Sequence, residues 1–185
     1  AMVIFGLSRL ALRRPLVILA VLCAAAGVAE HVLAVGLRVA ILGRAPVSNT
    51  YEALLWMGLV GIALGCIAQA LNRRGWYLFA GLCAAMISVI FAGMVPLGDQ
   101  TNSLPAVLRS NFWLTIHVLT IVASYGILAV ASVLGHVYLA KEILFARRGT
   151  IATPDAKRSD AIIVQTYRTI QVGLLLLTAG TILWG

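Results

Sequence analysis

Residues 112–140 read FWLTIHVLTIVASYGILAVASVLGHVYLA, an apolar run interrupted only by His117 and His136. A helix that crosses a bilayer needs about 20 mostly apolar residues, so this stretch is long enough to span one. Four further runs read the same way. They cover about residues 15–42, which include Glu30, His31 and Arg38; residues 53–71 and 76–98, both without a charge; and residues 161–185, with Arg168 near the start. The apolar residues are continuous rather than alternating, which argues against a transmembrane β-barrel. The expected fold class is therefore all-α: a polytopic integral membrane helix bundle of five spans in a single transmembrane domain, residues 1–185.

Composition agrees. The chain is 62% hydrophobic and 11% charged, with a mean hydropathy of +1.01, whereas a soluble domain carries about 25% charged residues. A soluble fold of this length has too little interior to hide so much apolar surface. A disordered chain and a disulfide scaffold are excluded with it.

The formal charge is +8, from 14 Lys and Arg against 6 Asp and Glu. The basic residues cluster in short segments between the apolar runs, which marks membrane topology rather than nucleic-acid binding. Arg9, Arg13, Arg14, Arg73, Arg74, Lys141, Arg147, Arg148, Lys157 and Arg158 fall on one side. Arg38, Arg44 and Arg109 fall at or near the other. The positive-inside rule then puts the N-terminus in the cytoplasm and residues 43–52 and about 97–111 in outer loops. Arg13 and Arg14 precede an apolar run, but no small-residue cleavage site followed by a polar domain marks a signal peptide. Cys23, Cys66 and Cys83 all lie in apolar runs without C-x-x-C spacing, so packing is their expected role.

Ionisable groups inside apolar spans are costly, so each histidine is a functional hypothesis. His117 is expected near the outer end of its helix. It shares an angular position with Ser124 and Gly135, a small and polar stripe expected to face the bundle. His136 lies nineteen residues further on, about 28 Å along the helix, so the two cannot share one metal. It sits beside Tyr138 and Lys141 as an interfacial residue. His31 adjoins Glu30 and shares a face with Arg38, and an internal Glu–Arg or Glu–His contact would lower the cost of burying them. The residues alone leave His117 open between a hydrogen-bonded interfacial histidine and a haem ligand. Gly61 and Gly65 form a G-x-x-x-G that favours close helix packing. There is no P-loop, H-E-x-x-H or G-x-S-x-G, and no repeat or matched pair of broken helices of the transporter kind.

The loop segments are more specific. Arg38 is followed by Pro46, Asn49, Tyr51 and Glu52, as P-x-x-N-x-Y-E. Later come Pro105 and then W-L-x-x-H-V, here Trp113, Leu114, His117 and Val118, with Ser124-Tyr125 beyond. Tyr167-Arg168 and Leu177-Thr178-x-Gly180 follow. In order and spacing these resemble the CcsA (ResC) family of cytochrome c biogenesis proteins, from about residue 30 to 185.

The resemblance implies a protein of the bacterial cytoplasmic (inner) membrane. It implies work with a CcsB/ResB-like membrane protein and with a thioredoxin-like thiol reductant. Such proteins carry haem b to the outer face and attach it to the C-x-x-C-H motif of apocytochrome c. His117 matches the first of the family's two outer histidines, which are axial haem ligands. Trp113 would pack on the porphyrin. From their location alone, Arg38, Arg44 or Arg109 would pair with its propionates, since guanidinium binds carboxylates well. Pro46, Asn49, Tyr51 and Glu52 would shape the first outer loop. The family's tryptophan-rich segment, second outer histidine and inner histidine would follow Trp184-Gly185. The chain is therefore expected to be the N-terminal part of a larger core, and a synthetase only together with the rest. The alternatives are a protein that passes haem to a chaperone, a non-catalytic membrane subunit of a respiratory assembly, and an unrelated transporter.

Overall fold

The structure, a computed structural model, describes residues 13–72, 76–96, 111–147 and 156–182. It contains five helices: α1 (Arg13–Leu42), α2 (Thr50–Asn72), α3 (Trp76–Gly93), α4 (Asn111–Arg147) and α5 (Ala156–Ile182). Each is long and apolar enough to cross a membrane. No strand occurs among the described residues. An apolar chain in lipid must satisfy its backbone internally, and helices do so.

Several helix ends differ from the sequence expectation: α5, for example, starts at Ala156 rather than Ala161, and α2 at Thr50 rather than Ala53. α3 stops at Gly93 rather than Gly98. Pro96 lies just beyond, where a ring without an N–H disfavours helix at the preceding residue. The chain turns there, with Met94 and Val95 donating to the carbonyls of Phe91 and Ala92. α4 runs past Ala140 to Arg147, because Lys141, Glu142, Leu144 and Ala146 are all good helix formers. Its 37 residues make about 55 Å of helix, so α4 projects beyond a hydrocarbon core of about 30 Å.

α2 is the centre of the bundle. It lies against α3, α4 and α1, and α5 completes the far side against α4. The glycines explain the close crossings. A Cβ on Gly65 would stand 2.8 Å from the Tyr77 carbonyl oxygen and 3.1 Å from Gly81 Cα in α3. A Cβ on Gly126 in α4 would meet Met57 O at 2.5 Å and Gly61 N at 3.4 Å. Backbones this close leave no room for side chains, as the G-x-x-x-G spacing anticipates. Ala68, Tyr77, Ala80, Ala84, Val130 and Leu134 fill the core between these three helices. Val35, Leu55 and Ala92 join α1 to α2 and α3.

Polar side chains inside the spans are handled locally. The hydroxyls of Ser88, Thr120, Thr166, Thr169 and Thr181 each donate to the carbonyl four residues back. Ser124 donates to Ile121, three back, and is fully buried, as its stripe predicts. Such back-bonding satisfies a hydroxyl without a partner helix.

Candidate functional site

The loop between α1 and α2 builds the first half of the site. α1 ends where Gly43 takes a left-handed conformation, φ +63°, which a residue without Cβ adopts freely at a helix C-terminus. Its N–H closes the last turn on Val39. α2 then starts with a reciprocal cap. Asn49 Oδ1 accepts from Glu52 N at 2.8 Å, and Glu52 Oε2 accepts from Ser48 N at 2.9 Å. Asn three residues before Glu is a capping-box spacing, here with the carboxylate reaching one residue further back than usual.

The other Glu52 oxygen is clasped by two arginines. Arg38 Nε and Arg44 Nη2 each donate to Oε1 at 3.1 Å. Glu52 is 1% exposed. The Arg38 guanidinium also stands 4.7 Å from the centroid of the Tyr51 ring, a cation–π distance. Two cations thus converge on one buried anion. Arg38 Nη2 is buried and has no hydrogen-bond partner among the described residues. A buried N–H left unsatisfied is costly, so this atom marks a place for an acceptor.

The second half of the site is His117, buried in α4. Its Nδ1 lies 2.7 Å from the carbonyl oxygen of Gly180 in α5. A carbonyl only accepts, so Nδ1 carries the proton, and in the neutral ring the lone pair is on Nε2. In that tautomer a metal would be ligated through Nε2, and a backbone carbonyl is a usual orienting partner for a ligating histidine. The close approach of α5 allows it: a Cβ on Gly180 would meet Ile121 Cγ1 at 2.6 Å and Ile121 N at 3.2 Å.

The two halves lie at one depth. α2 and α4 run in the same direction and cross where Gly61 meets Gly126. Glu52 is nine residues before Gly61, and His117 is nine before Gly126. Both therefore stand about 13.5 Å along their helices toward the same end of the bundle. Trp56 holds that register, its indole N–H donating to Leu119 O at 3.2 Å. Adjacent helix axes are about 8–10 Å apart, so the histidine and the clasp lie in one layer of the bundle.

The remaining sequence-predicted residues divide. Trp113, one turn before His117, is 51% exposed and packs edge-on to Phe112 at 5.5 Å, so its ring is open to a ligand. Pro46 lies in the α1–α2 loop beside buried Val47. Arg109 and Pro105 fall outside the described residues. His31 bonds Leu55 O through Nε2 at 2.9 Å. The anticipated contacts of Glu30 with His31 or Arg38 are not formed, because Arg38 turns to Glu52 and Glu30 faces outward. His136 is exposed and bonds Ser132 O, one turn back in its own helix. Among the described residues no group of three His, Cys, Asp or Glu could hold a metal ion. Ser48 and Trp56 are site residues that the sequence reading passed over, and Gly180 entered it only as part of the Leu177-Thr178-x-Gly180 segment, with no role at the site. Ser48 is recoverable from the capping-box spacing; a carbonyl partner such as Gly180 O leaves no side-chain signal.

Comparison with known proteins follows the same residues. The family described as Cytochrome C assembly protein matches residues 47–185. Protein NrfI of Wolinella succinogenes is 35% identical over 160 residues, covering 85% of this chain and 17% of its own. Proteins named cytochrome c biogenesis protein CcsA from two Synechococcus strains are 31% and 34% identical over 169 and 170 residues. Each comparison covers 76% of this chain and 54% or 52% of the relative. The chain thus spans about half the length of the CcsA relatives it matches. No solved structure matches.

Proposed function

Because the chain belongs to the cytochrome C assembly protein family, we propose that it is the N-terminal part of a CcsA-like core that presents haem for attachment to apocytochrome c. It is a multi-pass membrane protein that serves cytochrome c biogenesis. The finer reading places it in the bacterial inner membrane, N-terminus in the cytoplasm, with the α1–α2 loop and the start of α4 on the outer face. Haem b is the molecule handled, and the haem is joined covalently to the acceptor. A CcsB/ResB-like membrane protein and a thioredoxin-like thiol reductant complete the system.

In this reading His117 Nε2 is an axial ligand of the haem iron. The single observation that carries it is the Nδ1 bond to Gly180 O at 2.7 Å. That bond fixes the ring on a buried wall, protonated on the nitrogen away from the iron, which raises its basicity as a ligand. The Arg38–Glu52–Arg44 clasp, at the same depth, supplies the propionate end. Arg38 Nη2 is the donor still to be satisfied there, with Arg44 beside it and Arg109 as a third anchor. Trp113 offers its exposed ring to the porphyrin.

The test uses the full-length protein in membranes. His117→Ala should lose the haem Soret band and cytochrome c maturation, and added imidazole should restore both, because it replaces the lost ligand without the lost backbone bond. A His117→Ala protein that keeps its haem and matures cytochrome c would leave the histidine a purely structural role.

A further inference from the structure

Glu30 lies twelve residues from each end of the Ile18–Leu42 span, about 18 Å of helix in either direction. It is exposed, on the side of α1 away from the bundle. Its neighbour His31 is turned inward to Leu55. A carboxyl group therefore stands at the middle of a membrane span with no protein against it among the described residues. Groups of this kind are rare at that depth, and they almost always face a partner or a wet cavity.

The surface around it combines small and large side chains. Cys23, Ala26, Gly27 and Ala34 lie within about 60° of Glu30 on the helical wheel and are exposed and small, and exposed Leu33 and Leu37 share that sector. A Cβ on Gly27 would meet nothing within 4 Å. Small residues at this spacing let a second backbone come close enough for an interhelical polar contact. Val21 and Val32 lie on the opposite side of α1 and are exposed there.

We propose that the Glu30 face of α1 docks a transmembrane helix of a separate subunit, one that brings a Lys, Arg or His to mid-membrane. Charge complementarity selects the basic residue, since a buried carboxylate is tolerated when paired. A second copy about a two-fold axis would set Glu30 against Glu30, like charge on like. In the NrfI relative the matched stretch is 17% of the polypeptide, so there the bundle is joined to a much larger body of protein. The inference rests on the placement of α1 and is independent of the haem reading.

Photo-crosslinking in native membranes tests it, with a benzophenone amino acid replacing Ala34 or Val32 in the full-length protein. The probe at Ala34 should capture another polypeptide. The adduct should map to a membrane helix with a basic residue within a turn of mid-bilayer. Glu30→Gln, which keeps the size of the side chain, should cut that adduct about five-fold, the scale of one interhelical polar contact. Glu30→Lys should abolish it, and changing the partner's basic residue to Glu should restore it. The probe at Val32 should label lipid alone. An Ala34 adduct with lipid only, with a second copy, or with another part of the same chain overturns the proposal, as does a yield indifferent to Glu30→Gln.

Discussion

Glu52→Gln tests the clasp directly. The substitution preserves volume and leaves an amide oxygen to accept from Ser48 N, so the helix start survives and the charge alone is removed. Arg38 and Arg44 nitrogens lie 3.1 Å from the same carboxylate oxygen, so those nitrogens are at most about 6 Å apart. Without the carboxylate, two unit charges at that separation repel by about 3 kcal/mol at an effective dielectric of 20. Removing one partner of a buried ion pair costs about 3–5 kcal/mol. The arginine side chains are 19% and 23% exposed, so solvent screening places Glu52→Gln near the lower end of that range. Arg44→Gln is different, because Glu52 keeps Arg38, and its cost should be near that of one charged hydrogen bond, about 1.5–3 kcal/mol. The double variant Glu52→Gln/Arg44→Gln should be less destabilised than Glu52→Gln alone, since it removes the repulsion. Equilibrium unfolding in mixed micelles, followed by tryptophan fluorescence, measures all three. A Glu52→Gln protein within about 0.5 kcal/mol of wild type, the range of an inert surface change, would refute the reasoning.

Three further outcomes follow from the contacts. Gly126→Ala should destabilise the bundle by about 1–3 kcal/mol in the same assay, because its Cβ meets Met57 O at 2.5 Å. Gly180→Leu should force α5 from Ile121 and lengthen the His117 bond; haem absorbance of the full-length protein should fall even though no ligand atom is changed. His31→Leu removes the bond to Leu55 O and should cost about 1 kcal/mol without affecting haem content, since His31 lies on α1, remote in sequence and contacts from His117.

The five spans are legible in the sequence because the signal is coarse. A run such as residues 53–71, uncharged throughout, has few alternatives to crossing a bilayer. Helix ends are finer. Gly93 ends α3 through a proline three residues on, and α4 outlasts its apolar run because helix formers continue in polar residues. The site divides on the same line. His117 stands out as an ionisable group in an apolar run. Which of the arginines near Glu52 clasps it depends on how α1 leans on α2, and no local pattern encodes that. Arg38 shares a helical face with His31, and that spacing suggested a contact within α1. The carboxylate of the next helix is the better partner, because it takes two guanidiniums and a backbone N–H together.

The location of function follows from how the bundle treats its polar atoms. Hydroxyls at Ser88, Thr120, Ser124, Thr166, Thr169 and Thr181 return to their own helices, and such bonds add no contact between helices. Bonds that cross from one helix to another are fewer. His31, Trp56, Tyr77 and His117 each reach a carbonyl of another helix. Trp56 and Tyr77 join helices by donating to a carbonyl. The two imidazoles each keep a second, basic ring nitrogen after donating, and of these His117 is the one whose depth coincides with a half-buried pair of arginines around a single buried acid. A ring fixed on one nitrogen, level with a cation-rich clasp, exceeds what holding two helices together requires. The glycine crossing at Gly61 and Gly126 sets that level, so the geometry of the site is fixed about 13.5 Å away along the helices.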